Sequence, residues 1–431
     1  MFRGSRSSSA SGPDEPSSVG DDPRLRLLLE ALADLSSTLD VEAVLDRILA
    51  RSLEVAEADQ ALLLLGGEDG GGLQAVRARR ADGRPRDPSR VGFSTTVVQR
   101  ALREGRPVTE EVGSDSEALR ASQSIFELRL RSVLCAPLRF GERTLGAIYV
   151  DSRVQRKVFT RTDRELFEAL ARQAAIAITN ARALQAERER VRLQGEMDLA
   201  AEIQRELLPP EAPQLPGLRI AARSLPAAEV SGDFYDWLLL EDGKRLAFTV
   251  ADVTGHGVGP ALLAAEVRGE IRALLPLDPD PGRVLGRVHA NLRETLDPGR
   301  FLTLFLGLLE PAHGRLAWAS AGAPEALLWT PAGQEALGRT GPPLGVDVEA
   351  GHETQVREGL GPGTGLLLYT DGLAEARSAA GEVFGAERLA AEIRAWKGGA
   401  GGLLDRLLAA AEAFAGGRRQ DDTTAMALLW R

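Results

Sequence analysis

Four aspartate-bearing turns, each beside a predicted strand, constrain the second half of the chain more than any other feature of its sequence. They read SGDFYD at 231–236, ADVTGHG at 251–257, YTDG at 369–372 and QDDTT at 420–424. The apolar runs beside them are typical of strands in a sheet. One Asp-Gly pair alone is most often only a turn. Four aspartate-bearing turns at strand ends predict that the aspartates converge at one edge of a β sandwich.

Such a cluster of carboxylates is suited to binding a hard metal ion. Short carboxylate ligands suit Mg²⁺ or Mn²⁺, and two such ions can activate a water for attack on phosphorus. The chain has a single cysteine, Cys135, and four histidines, which excludes an internal disulfide and every multi-cysteine zinc motif. The sequence contains neither a Ser-His-Asp nucleophile elbow nor a P-loop. It therefore favours metal-assisted hydrolysis.

Length and charge set the broader class. The 431 residues suggest about three structural units, and the net charge of −10 argues against nucleic-acid binding. No apolar run approaches the roughly 18 residues that span a bilayer. Residues 1–23 are rich in Ser, Gly, Pro and Asp, and we expect a disordered tail there. The sequence predicts a soluble, cytoplasmic, α+β multidomain protein with no nucleic-acid or membrane partner.

The first half alternates helical and strand patterns. Leucines at helical spacing begin after Arg24, and a second helical pattern follows Asp40, which is placed to cap it. Short apolar runs at 61–65, 133–138 and 145–150 predict strands, the last two forming a hairpin. This half is therefore predicted to be an α+β domain.

A long helix is predicted to come after this domain. Thr162 and Glu165 form a capping-box pattern, and the apolar positions after them repeat close to every 3.5 residues, which favours a coiled-coil seam between two chains. A solvated spacer is the alternative. We expect Gly195 to interrupt the helix and Pro209 to end the helical stretch beyond it.

Three segments of the first half resemble a GAF domain: RSVLCAPL at 131–138, LGAIYVD at 145–151 and FTRTD at 159–163. The resemblance implies an antiparallel sheet with helices that either binds a small ligand or dimerises. We place this GAF sensor or dimerisation domain at 24–185 and a helical linker at 186–212. Cys135 lies in the apolar run VLCA, so we expect it to pack in the core rather than to sense oxidants or carry a chromophore.

The four aspartate turns, in their order, resemble the PPM-type (PP2C-like) serine/threonine phosphatases of the bacterial SpoIIE and RsbU group. The segment at 200–210 resembles the helix that leads into that family's catalytic domain. The resemblance implies a PP2C-like α-β-β-α sandwich over 213–431, with two Mn²⁺ or Mg²⁺ ions in the cleft between its sheets.

Carried over residue by residue, the resemblance implies four carboxylate ligands and one carbonyl ligand: Asp233, Asp252, Asp371, Asp421 and the backbone of Val253. Asp233 and Asp252 would lie nearest the bridging water and carry catalysis. Asp236 and Asp422 are weaker candidates that would either support the ligands from behind or have a purely structural role. His256 is either a general acid for the leaving serine or a loop histidine near the site, and we favour the second.

The leading functional hypothesis is a metal-dependent protein phosphatase regulated by its GAF domain. The resemblance implies a phosphoserine or phosphothreonine protein as substrate, such as an anti-sigma factor antagonist, and the seam predicts a homodimer. A catalytically silent signalling scaffold with the same fold is one alternative. A receptor for an unknown small ligand, with the GAF domain as the main functional site, is the other.

Overall fold

The computed structural model describes residues 23–35, 37–66, 72–111, 130–153, 158–240, 243–297, 299–346, 348 and 351–431. These residues fall into two compact units, divided between Val191 and Arg192. The tail expected at 1–23 lies outside the described residues except for Pro23, which begins the first helix. Within the described ranges, no helix combines the length and apolar character needed to cross a membrane.

The first unit is built on a six-stranded antiparallel sheet in the order β3-β2-β1-β6-β5-β4. Its strands are β1 (Gln60–Gly66), β2 (Leu73–Arg80), β3 (Pro85–Arg86), β4 (Val108–Glu111), β5 (Ser132–Phe140) and β6 (Arg143–Ser152). Its helices are α1 (Pro23–Leu35), α2 (Val41–Ala56), α3 (Thr95–Glu104) and the first part of α4 (Arg161–Leu207). Alternate residues of each central strand face opposite sides, so α1, α2 and α4 cover one face and α3 packs on the other.

Several local predictions for this unit are confirmed. The backbone N–H of Ala43 donates to the Asp40 carboxylate at 2.8 Å, which caps α2. Strands β5 and β6 pair as an antiparallel hairpin. Cys135 is fully buried beside Tyr149 in the core under α3, and this burial raises the pKa of its thiol. The cysteine is therefore a packed, unreactive core residue.

The start of α4 differs from the sequence prediction. Thr160, rather than Thr162, forms the cap: its N–H and hydroxyl donate to the Asp163 carboxylate at 2.7 and 2.8 Å. The N–H of Asp163 returns a hydrogen bond to the Thr160 hydroxyl at 3.2 Å. The capping box therefore begins two residues before the predicted one, and Asp163 takes the place that glutamate usually has in it.

The seam predicted along α4 is buried within its own unit over its first half. Leu170, Ala177 and Ala181 belong to the core that α4 forms with α1, α2 and the sheet, so they are not available to a second chain. The interruption expected at Gly195 is also wrong, because α4 continues through it to Leu207. A single interior glycine weakens a helix by only about 1 kcal/mol, and the helix-forming residues around it offset that loss. The end before Pro209 is confirmed.

The second unit is a sandwich of two five-stranded antiparallel sheets, as predicted. One sheet has the order β14-β11-β10-β9-β8 and the other β13-β12-β15-β16-β7. The strands of the first sheet are β8 (Phe234–Leu239), β9 (Leu246–Val253), β10 (Leu302–Glu310), β11 (Arg315–Ala321) and β14 (Gln355–Arg357). Those of the second are β7 (Leu218–Leu225), β12 (Ala326–Thr330), β13 (Gly333–Leu337), β15 (Gly365–Tyr369) and β16 (Thr423–Trp430).

Helices cover both outer faces of the sandwich. They are α5 (Val258–Leu274) and α6 (Pro281–Thr295) on the first sheet, and α8 (Gly385–Ala395) and α9 (Ala400–Phe414) on the second, with the short α7 (Asp371–Ala374) after β15. A separate apolar core lies between the two sheets, where Phe248 and Phe305 meet Leu366 and Met426. This is the α-β-β-α layering that the sequence predicted.

Candidate metal centre

The aspartate turns of the two sheets meet at one end of the sandwich. Asp233 directly precedes β8, and Asp252 lies near the end of the neighbouring strand β9. From the other sheet, Asp371 follows β15 and Asp421 precedes β16. Because β15 and β16 are antiparallel neighbours, the end of one strand lies beside the start of the other. The convergence predicted from the sequence is therefore present.

Asp233 is the most buried of these four carboxylates, with 3% of its surface exposed. The hydroxyl of Thr370 donates to its Oδ2 at 2.7 Å, and Thr370 is in turn held by the N–H of Thr424 at 2.9 Å. The other oxygen, Oδ1, is buried and receives no hydrogen bond from any residue that the structure describes. A buried carboxylate oxygen that lacks a donor is unusual, and it is suited to a cation.

The carboxylates of the cluster repel one another, because like charges are held close together. Burial, followed by the charge of Asp252, raises the pKa of Asp233 well above its usual range. Burial and then the charge of Asp371 raise the pKa of Asp252 to about 6. The pKa of Asp371 is raised by burial and then by Asp421. Divalent cations would relieve this repulsion.

The residues present fit a hard divalent metal. The donors are carboxylate oxygens, with the carbonyl of Val253 close by: a Cβ added to Gly232 would lie 2.6 Å from that carbonyl oxygen. In the described part of the chain, no three carboxylate, imidazole or thiol side chains are close enough to one another to bind a metal ion without further ligands. Such an open carboxylate set suits Mg²⁺ or Mn²⁺ ions that keep water among their ligands.

Asp422 has a structural role next to this cluster. Its Oδ1 accepts from the N–H of Ala227 at 2.7 Å and its Oδ2 from the N–H of Gly232 at 2.9 Å. Both oxygens are thereby committed to the loop that carries Asp233. Asp422 thus holds in place the loop from which Asp233 extends.

Asp236 is held on the other side of β8. Its carboxylate pairs with Arg268 at 3.1 Å and Arg272 at 2.5 Å, both on α5. It also accepts from the N–H of Trp237 at 2.9 Å. The structure does not bring Asp236 to the other carboxylates; it ties β8 to α5.

His256 is exposed in the turn between β9 and α5. The glycines on either side, Gly255 and Gly257, have φ of +98° and +89°. Side chains rarely adopt this left-handed conformation, which explains why the turn contains two glycines. The histidine is thus presented to solvent by a turn with a fixed shape.

Sequence reasoning missed the residues that orient Asp233. Thr370 and Thr424 lie within the aspartate turns at 369–372 and 420–424, and a hydroxyl close to a predicted ligand was the available signal. Gln204 on α4 was also missed: its side chain contacts the backbone of Ser231. That contact joins segments 27 residues apart, and no local pattern encodes it.

A cavity of about 170 Å³ adjoins the cluster between α7 and α9. Its wall includes Asp421 and Gly372, which place it next to the second pair of aspartates. Arg377, Arg418 and Arg419 also line it. It therefore offers guanidinium groups beside the carboxylates.

Comparison with known protein families assigns both units. Residues 40–178 match the GAF domain model, and residues 242–431 match the model of stage II sporulation protein E (SpoIIE). The chain carries a GAF domain followed by a SpoIIE-type PP2C phosphatase domain. The SpoIIE match contains Asp252, Asp371 and Asp421, whereas Asp233 precedes it.

Individual relatives agree with this assignment. The chain is 31% identical over 222 residues to protein IcfG of Synechocystis sp., covering 45% of this chain and 35% of IcfG. It is 27% identical over 188 residues to the phosphoserine phosphatase RsbU of Bacillus subtilis, covering 43% of this chain and 55% of RsbU. The chain thus spans about a third and about half of the length of these two curated relatives.

A solved structure supports the fold of the SpoIIE-type domain. The SiaA-PP2C domain of Pseudomonas aeruginosa superposes with a TM-score of 0.51 at 22% identity, covering 56% of this chain and 99% of that domain. This similarity shows that the two share the sandwich fold.

Proposed function

We propose that this chain is a metal-dependent phosphatase of phosphoserine or phosphothreonine proteins. The observation that supports this most is the group of mutually repelling carboxylates, Asp233, Asp252 and Asp371, at one end of a SpoIIE-type fold. The name of the relative RsbU, a phosphoserine phosphatase, agrees with this activity.

In this proposal two Mn²⁺ or Mg²⁺ ions are held by Asp233, Asp252, Asp371, Asp421 and the Val253 carbonyl. Bound there, such ions would activate a water for attack on phosphorus and offset the charge of the phosphoryl group. The protein's own contribution is orientation: Thr370 fixes one oxygen of Asp233, and none of the described residues donates a hydrogen bond to the other. His256 is proposed to be a loop histidine at the rim rather than the general acid.

The proposed substrate class is a phosphorylated signalling protein, such as an anti-sigma factor antagonist. The cavity beside Asp421 supports a peptide substrate, because a side chain next to the phosphoserine would enter it. Arg377 and Arg418 on its wall would interact favourably with acidic groups of such a peptide, whereas Arg419 is paired with Glu412 at 3.8 Å.

For regulation, we propose a GAF domain at 24–185 that senses an unidentified ligand or stimulus, a linker at 186–212 and a catalytic domain at 213–431. The second half of α4 exposes Leu199, Ile203 and Leu207 at a spacing of four residues, each more than 40% exposed. We propose that a second copy of α4 covers this stripe in a homodimeric coiled coil. The proposed location is the cytoplasm, which suits a chain whose one cysteine is an unpaired thiol.

The test is phosphate release by the full chain from p-nitrophenyl phosphate and from a phosphoserine protein. Turnover should require added Mn²⁺ or Mg²⁺ and should stop with EDTA. Asp371→Asn should lower it by orders of magnitude, because one anionic ligand of a dication site is removed. Asp405→Asn is the matched control, because Asp405 is an exposed partner of Arg223 away from the cluster.

A catalytically silent scaffold would release no phosphate under any of these conditions. Equal turnover by Asp371→Asn and wild type would contradict the assignment of the site even if the chain is a phosphatase. The two outcomes separate the function from the residues proposed to perform it.

A further inference from the structure

The side chain of Gln204, near the end of α4, is paired with the backbone of Ser231. Its Nε2 donates to the Ser231 carbonyl at 2.6 Å, and the Ser231 N–H donates to its Oε1 at 2.9 Å. One amide therefore satisfies both backbone groups of a residue that is only 2% exposed. This two-point contact fixes the position and the direction of the chain at Ser231.

Ser231 is two residues from Asp233 and is bonded to it directly. The N–H of Asp233 donates to the Ser231 hydroxyl at 3.0 Å. Between them, Gly232 donates to Asp422 and has no space for a Cβ against the Val253 carbonyl. The loop is thus held by α4 on one side and by the turn before β16 on the other, and Asp233 extends from it.

We propose that Gln204 is a positioning residue for the metal centre: it holds the 231–233 loop so that the free Oδ1 of Asp233 faces the ion. This inference rests on the proposed function. Gln204 is not among the proposed metal ligands, and its side chain bonds to the backbone of Ser231. Its removal is expected to weaken ion binding while leaving the chemistry of a fully loaded site largely intact.

The experiment measures Mn²⁺ binding to the full chain by electron paramagnetic resonance, without substrate, together with the Mn²⁺ dependence of p-nitrophenyl phosphate turnover. Gln204→Leu removes both hydrogen bonds at similar side-chain volume. Gln204→Glu keeps the acceptor for the Ser231 N–H and removes the donor to its carbonyl. Gln185→Leu is the control, because Gln185 is exposed on the same helix.

Gln204→Leu should raise the Mn²⁺ dissociation constant about 10-fold to 100-fold, the usual effect of losing a group that orients a metal ligand. Its kcat at saturating Mn²⁺ should stay within about twofold of wild type, since the chemical step is unchanged. Gln204→Glu should also weaken Mn²⁺ binding, and this variant tests the inference if Gln204→Leu does not fold. Gln185→Leu should match wild type.

Wild-type Mn²⁺ affinity in both Gln204 variants would overturn the inference, and so would a lower melting temperature of the metal-free variants without a change in affinity. A wild-type chain that binds Mn²⁺ but releases no phosphate would contradict the proposed function alone. A wild-type chain that binds no Mn²⁺ would overturn both.

Discussion

Replacing Asp252 by asparagine should stabilise the metal-free protein while abolishing its activity. In the folded chain the pKa of Asp252 is raised from 3.8 to about 6, first by burial and then by the charge of Asp371. Each pKa unit corresponds to 1.36 kcal/mol, so the ionised carboxylate opposes folding by about 3 kcal/mol well above pH 6. Because asparagine keeps some of the polarity that burial penalises, we expect a gain of about 1–3 kcal/mol at pH 7.5.

The pH dependence depends on the sign of the shift. A carboxyl whose pKa is higher in the folded chain binds more protons there than in the unfolded chain between about pH 4 and 6. The wild type should therefore gain stability from this group as the pH falls from 7.5 to 5. The asparagine variant lacks this gain, so its advantage should shrink over the same interval.

The assay is urea unfolding in EDTA, monitored by tryptophan fluorescence. All five tryptophans lie in the second unit: Trp237, Trp318, Trp329, Trp396 and Trp430. The signal therefore reports the domain that contains Asp252. With Mn²⁺ at about 100 times its dissociation constant, the wild type should gain about 2.7 kcal/mol and the variant much less.

Two results would refute this reasoning. One is an asparagine variant that is less stable than wild type in EDTA at pH 7.5. The other is a stability difference that does not change between pH 7.5 and 5. Either would mean that Asp252 is not destabilised by burial and neighbouring charge in the metal-free chain.

Two further predictions concern the first unit and the connector. Cys135→Ser should lower the free energy of unfolding by roughly 1–3 kcal/mol, because a buried hydroxyl replaces an apolar thiol. Urea unfolding followed by circular dichroism measures this change, with Cys135→Ala as the control. A folded serine variant that has lost phosphatase activity at low temperature would contradict a packing role. Inserting one or two residues after Leu184 should change phosphatase activity, because each rotates the downstream part of the helix by about 100°, and seven should restore it. Equal activity in all three insertion variants would show that the helix is only a tether.

Local patterns in the sequence were sufficient for the strands and turns that carry the aspartates, whereas the α-β-β-α sandwich was implied by the resemblance to the PP2C-like family. Each aspartate stands beside an apolar run with turn residues, so strand and turn could be read together. Asp40 and the β5–β6 hairpin were predictable for the same reason, because their signals lie within a few residues. The two metal ions and the homodimer stay predictions.

Contacts between distant segments could not be predicted. The seam of α4 has the spacing of a coiled coil, yet Leu170 and Ala177 are buried by α1, α2 and the sheet. The same spacing suits packing against a second chain or against the helix's own domain, and only the tertiary fold decides between the two. Likewise, Asp236 shares a motif with Asp233 but lies on the opposite side of its strand, where Arg268 and Arg272 pair with it.

The most direct test of the metal centre is a crystal structure of the full chain grown with Mn²⁺, with anomalous diffraction recorded to locate the ions. We expect two Mn²⁺ peaks at the end of the sandwich, each within coordination distance of carboxylates from the set Asp233, Asp252, Asp371 and Asp421. One peak should contact Asp233 and Asp252, and the other Asp371 and Asp421. Mn²⁺ bound elsewhere, with no peak among these four side chains, would contradict the account.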